Sequence, residues 1–163
     1  MALGSLALAA GCAQSNVEPT PIAIPLAAAS VVDNYSGTLK VLGSNYHQFK
    51  VPQNGQVAIT LTSAAYAPRT DADTGLSVPN LRTEPIAALT ILVGTPAATT
   101  IGLQCSPIAF NNVAQFVVTS PGTTPQLAGS ALAGNYCISI SDPNGALLDP
   151  IAYKITVARP AEP

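Results

Sequence analysis

From Val31 onward, apolar and polar positions alternate through most of the chain. "YSGTLKV" alternates and is followed by the turn residues Gly43, Ser44 and Asn45. "YHQFKV" sets His47, Phe49 and Val51 on one face and Gln48 and Lys50 on the other, the period of a half-buried strand. After the turn "PQNG", the run "QVAITLT" directs Val57, Ile59 and Leu61 to a core and Ala58, Thr60 and Thr62 to solvent. Over residues 63–85 the period lapses, which predicts a long polar loop. It resumes in "IAALTILVG" with Leu89, Ile91 and Val93 on one face, and shorter candidates follow at "TTIGLQC", "VAQFVVT" and "QLAGSAL". "NYCISIS" aligns Tyr136, Ile138 and Ile140, and "IAYKITVA" closes the chain after "DPNG" and "DP". About eight or nine short strands punctuated by Gly, Pro and Asn predict an all-β, antiparallel β-sandwich.

The first residues follow a different rule. Leu3 to Ala10 form a short apolar run that ends in "GC" and gives way to polar, proline-containing sequence. An apolar stretch closed by small residues is the pattern of a secretory signal. "LAAGC" resembles the lipobox of bacterial lipoproteins, in which the thiol after small residues is lipidated and becomes the mature N-terminus. The resemblance implies a signal-like segment at residues 1–11, lipid on Cys12, and attachment to a membrane. Ala13, where inner-membrane lipoproteins commonly carry Asp, points to an outer membrane or cell surface. The other reading is an apolar N-terminal strand or helix with a buried Cys12. Residues 12–32 read as a tether, because their prolines fix φ and remove backbone donors. The alternation of Ile22, Ile24 and Leu26 leaves an edge strand open. Residues 33–160 form the expected domain.

Composition narrows the function classes. Only 9% of the 163 residues are charged and the formal net charge is −2, against about 25% charged residues in ordinary soluble domains. The six Lys and Arg are scattered, so nothing suggests a nucleic-acid partner. No apolar stretch approaches the ~20 residues of a membrane-spanning helix. The chain has three cysteines. With Cys12 assigned to lipid, Cys105 and Cys137 remain to pair with each other, as expected in an exported chain. Two buried free thiols are the alternative.

The run "YSGTLKVLGSNYHQFKVPQNGQVAITLT" resembles the opening of a bacterial pre-peptidase C-terminal domain. That family begins with a strand ending in Gly-Thr-Leu, then a strand ending in Phe-x-Val-Pro, then an aliphatic strand. "LTILV" sits where the family has its Leu-x-Leu strand, and "AGNYCISISDPNG" with "AYKITV" matches its closing pair. The similarity covers about residues 34–158 and implies a jelly-roll-like sandwich that binds or spaces without catalysing a reaction.

Candidate chemistry is sparse. His47 is the only histidine and no G-x-S-x-G elbow is present, so a Ser-His-Asp hydrolase is not expected, and no cofactor is implied. Asp71 and Asp73 in "RTDADTG" are the one calcium candidate, since carboxylates two apart before a glycine can converge on a cation. The spacing departs from an EF-hand, and a solvated turn is the simpler reading. "DPNG", with Asp142 and Asn144, reads as a β-turn. The chain is therefore expected to be a monomeric binding or interaction module for protein or glycan, or alternatively a spacer held by strand addition. A distant third is an accessory domain of a secreted enzyme. Residues 63–85 are the candidate surface, because long loops on rigid sandwiches carry function.

Overall fold

The alternation read from the sequence becomes two facing layers, because the apolar side of each strand can leave water only against the apolar side of another sheet. The computed structural model describes residues 29–86, 88–100, 102–108 and 116–163. The signal-like segment, Cys12, most of the tether and the Ile22–Ile24–Leu26 alternation lie outside the described residues.

The strands are β1 (Ser30–Leu39), β2 (Ser44–Val51), β3 (Gly55–Tyr66), β4 (Arg69–Thr70), β5 (Ser77–Val78), β6 (Leu89–Thr99), β7 (Gly102–Pro107), β8 (Phe116–Thr119), β9 (Leu127–Ala131), β10 (Gly134–Ser141) and β11 (Ile151–Pro160). One sheet has the order β1-β11-β3-β9, and the other has β2-β10-β6-β7 with β8 also paired to β6. Every pairing is antiparallel. The chain crosses between layers at β1–β2, β2–β3, β3–β6, β8–β9, β9–β10 and β10–β11, which makes the molecule a β-sandwich. No helix occurs among the described residues.

The core lies between the sheets. Val57, Ile59, Leu61, Ile155 and Val157 come from one layer, and Phe49, Ile91, Val93, Ile138 and Ile140 from the other. Phe49 and Tyr136 are direct cross-strand partners with stacked rings, centroids 5.6 Å apart, an arrangement that adds about 0.5–1.5 kcal/mol to their burial. Gly37 of β1 lies against Tyr153, where a Cβ would meet the ring and its hydroxyl. That contact explains a glycine in the middle of a strand.

Four expectations need correction. β1 starts at Ser30, so Ser30, Val32 and the residue between them, assigned to the tether, pair with the end of β11. Strands number eleven among the described residues, because the loop over residues 63–85 is not structureless. β3 runs on to Tyr66 through a bulge: Leu61 faces Ile155, Ser63 faces Lys154, and Thr62 is left over. The extra residue inverts the side-chain phase, so that Ala64 and Tyr66 pack on the core instead of odd-numbered positions. A two-residue ladder, β4 with β5, then closes a small hairpin. Thr60, expected in solvent, is buried.

Candidate functional site

Register places three loops at one end of the sandwich. β1 begins at Ser30 opposite Pro160 and ends at Leu39 opposite Ile151. Ile151 also faces Tyr66, the last residue of β3, while Ser141 at the end of β10 faces Ser44 and Thr90. The connections at residues 40–43, 67–88 and 142–150 therefore leave the same end. The chain enters β1 at the opposite end, about 30 Å away for a ten-residue strand.

Hydrogen bonds hold these loops together. Asp142, fully buried, accepts the backbone N–H groups of Leu42 (3.1 Å), Ala146 (2.7 Å) and Leu147 (3.3 Å). The "DPNG" turn thus locks the 40–43 loop to its own. Ala67 donates its N–H to the carbonyl of Pro150. Arg82 and Asn80 both donate to Asp149 Oδ2, and Arg82 lies over the Tyr66 ring. The hydrogen bond from Arg82, then that from Asn80, holds the Asp149 carboxyl below its ordinary range. From this frame four leucines project into solvent: Leu42 (70% exposed), Leu76 (65%), Leu81 (83%) and Leu148 (54%).

Of the calcium candidates Asp71 and Asp73, one oxygen of Asp71 is engaged by its own turn. Asp71 Oδ1 accepts the N–H groups of Asp73 and Thr74 and the Thr74 hydroxyl, which lowers its pKa, the Thr74 hydroxyl contributing most. The residue shapes the β4–β5 turn, whose tip is closed by the Asp71 N–H bond to Leu76. Among the described residues no group of three His, Cys, Asp or Glu side chains converges on one point.

His47 sits half-buried where β2 meets the opposite sheet. Its Nε2 is 2.7 Å from Tyr153 Oη, which also accepts the Asn45 side-chain N–H at 3.0 Å. Burial lowers the His47 pKa from its ordinary 6.5 and raises that of Tyr153, so the pair is neutral near pH 7. Tyr35 also packs against the imidazole, 5.1 Å between ring centroids. His47 is thus a packing residue that joins the layers.

Cys105 and Cys137 form a disulfide with Cα atoms 5.7 Å apart. Both belong to the five-stranded sheet, on strands that flank β6, so the bond staples one sheet rather than joining two. Next-nearest strands of a flat sheet lie about 9.5 Å apart. The shorter distance means that the β6–β7 hairpin curls over the outer face. Gly94 makes the curl possible. It pairs with Cys137 on one side and Pro107 on the other, and a Cβ there would overlap the carbonyl oxygen of Ser106. Cys137 faces away from the core, as the alternation requires, yet is fully buried.

No protein-family model matches this chain, and no curated protein matches it.

Proposed function

We propose that the chain is a non-catalytic binding module of a bacterial cell envelope or secretion, whose loop-bearing end engages a protein partner. The carrying observation is the set of four exposed leucines on loops pinned by Asp142 and Asp149. Exposed aliphatic groups do nothing for folding, whereas covering them yields about 25 cal/mol per Å². Loops held in place before binding lose less entropy on association. Lipid on Cys12 would hold the opposite end toward an outer membrane or cell surface and turn the leucines outward. The resemblance to pre-peptidase C-terminal domains supports a role without chemistry, as does the engagement of His47 by Tyr153.

The test is site-specific photocrosslinking in cells. A photoreactive residue at position 81 or 148 should give a discrete protein adduct, and one at position 62, on the outer face of the four-stranded sheet, should not. Adducts of equal yield from all three positions would sink the reading. A spacer held by strand addition is the second reading, favoured by β9, an edge strand with no charged residue to discourage pairing. It predicts oligomers of the domain on size-exclusion chromatography, where the first reading predicts a monomer.

A further inference from the structure

The curled β6–β7 hairpin leaves a groove on the outer face of the five-stranded sheet, remote in kind from the leucine-tipped loops. Its volume is about 220 Å³, and its described lining is Ser44, Tyr46, Leu103, Gln104, Cys105 and Ser139. The register explains the composition. Tyr46 and Ser139 are direct cross-strand partners and, with Ser44, lie on the outward parity of β2 and β10. Leu103, Gln104 and Cys105 come from β7, held over the sheet by the disulfide.

Two features point to a ligand. The hydroxyl oxygen of Tyr46 is buried and has no hydrogen-bond partner. An unsatisfied buried polar group costs about 1–3 kcal/mol, and such groups in a native fold call for an explanation. The second feature is charge. No Asp, Glu, Lys, Arg or His occurs between Glu84 and Asp142, the stretch that supplies β6 to β10. The described lining offers hydroxyls, one carboxamide, and the apolar surfaces of Leu103 and the cystine.

We propose that this groove binds a neutral, polyhydroxylated guest the size of one sugar ring, with a guest oxygen as the partner of the Tyr46 hydroxyl. Uncharged donors and acceptors beside apolar surface match the hydroxyl and C–H faces of a pyranose. The volume lies below the about 300–1,000 Å³ typical of drug-sized pockets, which suits a single ring. The Tyr46 oxygen is shielded from solvent, so a guest reaches it by displacing a neighbouring side chain. Leu103 and Gln104 are exposed and can swing without breaking the sheet.

The experiment is amide-resolved NMR titration of the domain with methyl glycosides of glucose, galactose, mannose and N-acetylglucosamine. Each is used free and as the terminal unit of a neutral trisaccharide. Shifts at Tyr46, Gln104 and Ser139 are expected with one of them; tighter binding of the trisaccharide identifies a glycan, and equal binding a free sugar. Tyr46→Phe should weaken binding by about fivefold, the loss of one hydrogen bond, without lowering the thermal midpoint. No shifts with any probe at about 50 mM, far above a millimolar Kd, would overturn the proposal. So would Tyr46→Phe binding unchanged, or a destabilised Tyr46→Phe protein, because its hydroxyl would then serve the fold. Shifts confined to the loops around Leu81 would overturn it too, while leaving the loop end as a binding surface for a different partner.

Discussion

Gly94 and His47 show what single residues contribute. Gly94 is the point over which the hairpin bends, and a side chain there meets backbone rather than a flexible group. Gly94→Ala is expected to destabilise the domain by at least about 3 kcal/mol, the upper range for overpacking; urea denaturation would measure it, and a loss below about 1 kcal/mol would mean that the hairpin shifts freely. His47 acts through pH. Its folded pKa is lowered by burial from 6.5, so the unfolded chain binds the proton first as pH falls. The stability that neutral His47 preserves is present above pH 6.5 and is lost as pH drops through the folded pKa. Asp71 and Asp149, both lowered from 3.8, lose their contributions only in more acidic solution. The thermal midpoint should therefore begin to fall below pH 6.5 in the native protein, and that first decline should vanish in His47→Gln. An unchanged profile in the variant would remove His47 as its cause.

Among the elements, the β6–β7 hairpin depends most on one covalent bond. The disulfide restrains the unfolded chain and fixes the curl over the outer face. Replacing Cys105 and Cys137 together by serine should cost about 2–4 kcal/mol and leave a folded β domain, because neither residue lies between the sheets. Circular dichroism with chemical denaturation separates the outcomes: complete unfolding of the variant would place the cystine within the structural core. The same hairpin and β3 mark where the sequence was readable. Alternation in "QVAITLT", "ILVG" and "NYCISIS" identified the residues between the sheets, since these point to one side of each strand, but it missed the burial of Thr60 on the other side. The end of β3 was not readable, because the bulge at Thr62 shifts the phase and Ala64 and Tyr66 then read as irregular. The cystine pairing followed from cysteine count, and its placement on the outer face followed from the parity of Cys137. The curl that buries it did not, because nothing local in "ILVGTP" states that a second strand lies over the glycine.

At the scale of the molecule, the sandwich separates two ends. One receives the chain at Ser30, and the other carries three connections tied together by Asp142, which accepts backbone N–H groups, and by Asp149, which accepts from the side chains of Asn80 and Arg82. The long loop over residues 63–85 was legible as the candidate surface from its lapse in period. Its partners were not, since Asp149 and Pro150 lie far along the chain and meet it only through the register of β11. Four exposed leucines at that end are the feature a binding role explains and a spacer role does not. The most direct measurement is the quadruple variant Leu42→Ser, Leu76→Ser, Leu81→Ser and Leu148→Ser, compared with the native chain in stability and in the partner adduct formed from a photoreactive residue at position 69. The account predicts a loss of stability within about 0.5 kcal/mol per site, as for exposed positions, together with loss of the adduct. An adduct of undiminished yield in a fully folded variant would contradict it.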